Sequence, residues 1–204
     1  MMNGQTLRRW DKKPWRQTKF QGKLLLQTPV DLVLFMELIE RIEPGLIVEF
    51  GVLQGGFARW LRMMTARLGF ETLVGGVDLV VPEDFYSGYG NGRVDSIARD
   101  SLDPMTADAV DFWIGEFAVF RPAIIILDDD HEPEHVAAEL ASYLPLLKPG
   151  DWIVVCDTVP VRGLEGAVRR FVDASDRIEI VDVDRFGLSN HRGGWLRVVE
   201  GAKF

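Results

Sequence analysis

Cysteine is nearly missing from this 204-residue chain. Cys156 stands alone, so no intrachain disulfide can form, and a reducing, cytoplasmic setting is expected. No apolar run approaches the roughly 18 residues of a membrane-spanning helix. Met1 to Trp10 lacks the apolar stretch of a signal peptide, so no membrane partner is expected. Positive charge is also scarce: 23 Lys and Arg face 31 Asp and Glu, for a net −8. Such a domain is a poor generic binder of nucleic acid, because a phosphate backbone rewards clustered positive charge. Internal repeats and low-complexity tracts are absent, and the composition excludes collagen-like fibres and disordered chains.

What is present is a globular composition, 47% hydrophobic and 26% charged. The length suits one domain, which buries roughly 70% of its unfolded surface and needs no disulfide or metal staple. The charge is uneven. Residues 1–23 hold seven Lys and Arg against Asp11 alone, a net +6, which leaves −14 for the rest. Residues 1–27 therefore read as a basic aromatic arm or lid, with Trp10, Trp15 and Phe20, ahead of one domain over 28–204.

That domain alternates helical and strand-like stretches. Thr28-Pro29-Val30-Asp31 reads as a helix start, with Thr as N-cap and Pro at the first helical position. Apolar residues from Leu32 to Ile42 follow at helical spacing, and Glu43-Pro44-Gly45 stops them. Strands are expected at Leu46–Val48 running into Glu49, at Leu73–Asp78, Val94–Ala98, Ala123–Leu127, Trp152–Val155, Ile178–Val183 and Trp195–Val199. Helices are expected at Phe57–Leu68, from Pro104 through Phe117, at Glu134–Leu147 and at Leu164–Val172. Asp84 to Gly92 reads as a flexible loop beside a site. The pattern predicts a three-layer α/β fold with a mostly parallel seven-stranded sheet. The last two strands lie too close in sequence for a crossover and should pair antiparallel, reversing one strand. Ligands in such sheets sit beyond the C-terminal strand ends, near the switch in strand order.

The residues just past those ends carry the chemistry. Glu49 closes the first strand, Gly51 turns the backbone, and Gly55-Gly56 permit close approach before a helix. No G-x-G-x-x-G or P-loop is present, and an acid there suits a cationic or hydroxyl-bearing ligand. Asp78 ends the next strand, where ribose hydroxyls would be held. Asp100 and Ser101 stand where an adenine would rest. Asp128-Asp129-Asp130-His131 follows the strongest strand, and Asp157 follows its neighbour. Consecutive carboxylates at a buried strand end are costly unless exposed or neutralised, and a hard divalent cation would neutralise them.

His131-Glu132-Pro133-Glu134-His135 matches H-E-x-x-H letter for letter. Pro133 instead suits the first turn of a helix that leaves His131 outside it, which separates the two histidines. His135 then reads as a surface or packing residue, Cys156 as a small buried one, and His191 as part of a turn.

Taken in order, the motifs P-x-D-L, I-V-E-F-G-V-x-x-G-G, G-V-D, I-L-D-D-D-H-x-x-x-H-V-x-x-E-L, L-x-x-G-D-W-I-V-V-C-D-T and F-G-L-S-N-H-R-G-G-W-L-R resemble the cephalosporin hydroxylase / rhamnosyl O-methyltransferase family. That family is a branch of the class I S-adenosylmethionine-dependent methyltransferases, and the resemblance runs from Trp10 to Val199. It implies a Rossmann-like methyltransferase fold over 28–204. It implies S-adenosylmethionine at Glu49, Gly51, Gly55, Gly56 and Asp78, with Asp100, Ser101 and Asp128 beside it. It also implies Mg2+ held by Asp128 and Asp157, with Asp129 or Asp130 nearby. The layout is similar to catechol-type O-methyltransferases, in which a base stands three residues after the first metal aspartate. That position is His131, so Asp128 and His131 are the implied catalytic pair. The implied reaction is methyl transfer to a hydroxyl of a small molecule, a sugar or natural product. Separately from the resemblance, aromatics exposed in the arm could swap onto a second copy of the chain.

Two positions depart from the family pattern. Cys156 replaces an acid before Asp157, where Thr158 could supply an oxygen instead, and Phe57 replaces a serine after the two glycines. These departures frame the alternative, a non-catalytic methyltransferase-like binding or scaffold protein.

Overall fold

The computed structural model describes residues 14–85 and 94–201. Trp10 and the rest of residues 1–13 of the basic arm lie outside the described residues, as do Tyr86 and Tyr89 of the expected loop.

A short 3-10 turn at Pro14–Gln17 leads into a small hairpin, β1 (Lys19–Phe20) and β2 (Lys23–Leu24). The chain then alternates: α1 (Pro29–Ile42), β3 (Leu46–Phe50), α2 (Gly56–Arg67), β4 (Leu73–Asp78), β5 (Val94–Ala98), α3 (Pro104–Phe117), β6 (Ala123–Leu127), α4 (Pro133–Tyr143), β7 (Trp152–Val155), α5 (Leu164–Asp173), β8 (Ile178–Ile180) and β9 (Trp195–Val198). β3 to β9 form one sheet in the order β5-β4-β3-β6-β7-β9-β8. All pairs from β5 to β7 are parallel. β9 runs against both of its neighbours, so the sheet has the single reversed strand that the sequence predicts.

The run Ala123-Ile124-Ile125-Ile126-Leu127 is buried on both sides of the sheet, as a central parallel strand should be. Its alternate residues serve different layers. Ile124 and Ile126 join Phe35, Ile39, Phe57 and Leu61 of α1 and α2. Ile125 and Leu127 join Val110, Trp113, Leu140 and Val168 of α3, α4 and α5. Two cores therefore sandwich one sheet.

The helix signals hold in detail. Thr28 Oγ1 accepts the Asp31 backbone N–H at 3.1 Å, and Pro29 opens α1. Asp103 caps α3 by accepting from Met105. The helix expected to reach Leu147 ends at Tyr143, and a 3-10 turn, Leu144–Leu146, completes it. Pro145 has no N–H to continue the α ladder.

The order of strands matters most for the site. β3 connects onward to β4 on one side, while β6 lies on its other side, so the crevice opens at the C-terminal edge between them. Register brings that edge into line: Phe50 pairs with Val77 and with Leu127, and Leu127 pairs with Val155. The next positions along are Asp78, Gly51, Asp128 and Cys156.

Candidate functional site

A cavity of about 680 Å³ sits at that edge. Glu49, Gly51, Asp78, Asp100, Ser101, Asp128, Asp129, Asp130, His131 and Asp157 all line it. The carboxylates expected from the sequence therefore meet in one crevice. Gly55 and Gly56 stand back from the lining. Gly56 is approached by the chain itself: a Cβ there would lie 2.0 Å from the Leu24 carbonyl oxygen. Gly51 (φ +85°) is held as tightly, since a Cβ would lie 2.3 Å from the Asp128 carbonyl oxygen. Both glycines let backbone approach backbone.

Glu49 is buried, and its Oε2 has no hydrogen-bond partner. Burial pushes its pKa well above the usual carboxyl range, and the charges of Asp128 and Asp78 push it further. An unsatisfied buried carboxyl is costly, and a ligand that donates a proton or brings positive charge relieves that cost. Asp78 accepts from Leu53 N at 2.9 Å and from Val80 N at 3.2 Å, which leaves lone pairs on both oxygens. Leu53 and the 71%-exposed Leu79 add an apolar wall beside it.

The three consecutive aspartates face three ways. Asp128 Oδ1 and Asp157 Oδ2 each lie 3.7 Å from His131 Nε2. Burial raises the Asp128 pKa first and the Asp157 charge second. Asp129 turns toward α4, where its Oδ2 is 3.7 Å from His135 Nε2. Asp130 Oδ1 accepts the Glu132 N–H at 2.9 Å, making the turn into α4. α4 starts at Pro133, so His131 lies outside it and the two histidines serve different groups.

His135 is therefore part of the cavity. Its Nε2 also meets Ser101 Oγ at 3.2 Å and Glu139 Oε1 at 3.6 Å. Asp129, His135 and Glu139 bring one ligand atom each within 4.8 Å of one another, a spacing that a cation could occupy. Glu139 is fully buried. Burial and, second, the charge of Asp129 push its pKa up to about 9, so it keeps its proton at neutral pH. The i, i+4 spacing of His135 and Glu139 was the visible signal for this pair.

Gln27 and His191 had no such signal. Gln27 is buried, with Nε2 donating to Asp128 Oδ2 at 2.9 Å and Oε1 2.8 Å from His191 Nε2. His191 Nδ1 accepts the Asp157 N–H at 2.9 Å. Cys156 is buried beneath them, and burial holds its thiol protonated. Thr158 Oγ1 donates to the Arg192 carbonyl at 2.8 Å, away from the cavity lining. Phe57 packs edge-on against Phe35 and also borders the cavity.

The family model described as Rhamnosyl O-methyltransferase/CmcI matches residues 12–196. A curated rhamnosyl O-methyltransferase from Mycobacterium leprae (strain TN) is 31% identical over 151 residues, covering 71% of this chain and 62% of that protein. The chain spans about 58–62% of the length of the curated mycobacterial relatives it matches. Among solved structures, one titled CmcI-N160 apo-structure superposes with a TM-score of 0.73 at 21% identity, covering 96% of this chain and 84% of that one. Another, titled cmcI-D160 Mg-SAM, gives 0.68 at 21% identity, covering 95% and 84%. At these identities the structures speak for the fold.

Proposed function

Because the chain belongs to the rhamnosyl O-methyltransferase/CmcI family, we propose that it transfers a methyl group from S-adenosylmethionine to a hydroxyl of a small molecule, a sugar or natural product, with a divalent cation such as Mg2+. The observation that carries this reading is the convergence of Glu49, Asp78, Asp128 and Asp157 on one cavity. One solved relative by fold is titled as an Mg-SAM complex.

The residues present fit both groups. The orphaned Glu49 Oε2 wants a donor or a positive charge, and Asp78 keeps acceptor capacity for hydroxyls. Asp128 and Asp157 offer hard oxygen ligands. The thiol of Cys156 is kept protonated by burial, so it adds no thiolate to those two carboxylates. S-adenosylmethionine supplies an electrophilic methyl on a sulfonium, and a divalent cation lowers the pKa of an acceptor hydroxyl.

The chain's own residues do the rest. Glu49 and Asp78 orient the donor, and orientation alone accounts for much of such a rate. His131 Nε2, beside Asp128 and Asp157, takes the hydroxyl proton as general base. Leu24, Leu26 and Gln27 line the cavity, which supports reading the segment through residue 27 as part of the site's cover. The acidic lining favours a small molecule over nucleic acid. The free thiol suits a reducing compartment such as the cytoplasm, and no described helix is long and apolar enough to cross a membrane.

Calorimetric titration with S-adenosylmethionine, with and without Mg2+, tests the proposal. A single site with thermal stabilisation is expected, since binding to the native state alone raises its stability. No heat and no stabilisation under either condition would leave the scaffold alternative.

A further inference from the structure

Four groups from separate parts of the chain form one directional string from the backbone of Asp157 to the carboxylate of Asp128, the two residues whose carboxylates face His131. It begins at a backbone N–H, which can only donate. The Asp157 N–H points to His191 Nδ1 at 2.9 Å, so that nitrogen is the acceptor and carries no proton. The ring proton is then on Nε2, which donates to Gln27 Oε1 at 2.8 Å. With its oxygen fixed, the Gln27 amide has one orientation, and its Nε2 donates to Asp128 Oδ2 at 2.9 Å. A flipped amide would set N–H against N–H at His191 and oxygen against oxygen at Asp128.

The string is braced at its middle. His191 is 1% exposed. Its N–H donates to Ser189 Oγ at 3.0 Å, and Ser189 Oγ donates to Asp31 Oδ1 at 2.6 Å. Asp31 is the buried acid in the first turn of α1, and its other oxygen accepts from Thr28 Oγ1. The start of α1 therefore holds the 189–191 turn in place, next to Gln27. At the far end, Asp157 has a left-handed backbone (φ +54°). That conformation is uncommon outside glycine and needs its surroundings to hold it. The bond from its N–H to His191 does so.

We propose that Gln27 and His191 are positioning residues for the cation site: the string caps Asp128 Oδ2, leaves Asp128 Oδ1 directed at the His131 and Asp157 side, and ties that orientation to the backbone of Asp157. This inference rests on the reading that Asp128 and Asp157 hold a divalent cation. Outer-shell hydrogen bonds that orient a ligand commonly matter 10–100-fold in metal affinity.

The test uses Mn2+ alone, titrated by calorimetry into the full chain without S-adenosylmethionine. The variants are Gln27→Met, His191→Asn and the double substitution, and each is also melted in EDTA. Asn at 191 keeps an acceptor for the Asp157 N–H but is too short to reach Gln27. Each single variant is expected to weaken Mn2+ binding about tenfold or more. The double variant should be no weaker than the poorer single, because both break the same string. A residue that merely supports the fold would lower the melting temperature in EDTA and leave Mn2+ affinity unchanged in protein folded at the titration temperature. Wild-type affinity in Gln27→Met, or additive losses in the double variant, would overturn the proposal. Failure of the wild-type chain to bind Mn2+ would instead strike the underlying cation reading, and the proposal with it. Gln27→Met replaces a buried side chain with one of similar length, so it carries the test if His191→Asn does not fold.

Discussion

Asp78 accepts the backbone N–H of Leu53 at 2.9 Å, so the acid that closes β4 also fixes the loop that leaves β3. Leu53 needs that hold, since its backbone is left-handed at φ +51°. Asp78→Ala is expected to lower the melting temperature by about 2–4 °C and to weaken S-adenosylmethionine binding at least about tenfold. Asp78→Asn keeps an oxygen for Leu53 and should melt near wild type while still binding the nucleoside less well. Melts and calorimetry on both variants separate the loop role from the ligand role.

His131 stands 3.7 Å from each of two carboxylates that follow neighbouring strands. As a general base it is worth about 10²–10⁴ in rate. His131→Ala should therefore reduce kcat by that range and leave the affinity for S-adenosylmethionine within about threefold of wild type. Equal losses in turnover and affinity would refute the base assignment.

Glu139 gives stability a pH slope of known sign. Its folded pKa of about 9 lies above the ordinary value of 4.5. Above pH 4.5 the unfolded chain releases a proton that the folded protein keeps. Stability is therefore fullest below that pH and declines through about pH 9, by up to about 1.4 kcal/mol per unit. Glu139→Gln removes this slope and should be more stable than wild type at pH 8. Urea melts in EDTA at pH 5, 7 and 9 are the check, and parallel pH profiles for the two proteins would contradict it.

Gly51→Ala sets a Cβ 2.3 Å from the Asp128 carbonyl oxygen at a positive φ. A cost of at least about 2 kcal/mol is expected. Because the obstructing atom belongs to Asp128, Mn2+ affinity should fall along with stability. Urea unfolding and Mn2+ titration of the same sample would record both.

Much of this architecture is legible in the sequence because local signals agree with the global pattern. Ala123–Leu127 has one reading, a strand buried on both faces, and Thr28-Pro29 has one reading, a helix start. Every strand-end acid singled out from the sequence borders the cavity. The hairpin at Lys19–Leu24 has no signal in the sequence because two-residue strands carry no periodicity. Separated from His131 by the helix start, His135 reads from sequence as a surface or packing residue, yet Ser101 and Asp129 come from other loops to meet it. Gln27 and His191 lie 164 positions apart. Only the packing of α1 beside β9 brings them together, and no spacing rule within one element could have signalled it.

The aspartate run after β6 looks redundant, three equal charges in a row, but its members are not interchangeable. One faces His131 and Gln27, the next faces His135, and the third builds the turn into α4. Shortening or lengthening this run by a single residue would keep a dense cluster of negative charge at the rim while handing every task to the wrong side chain. What the loop encodes is therefore phase, and a variant that preserves total charge but shifts the count should be as inactive as one stripped of all three.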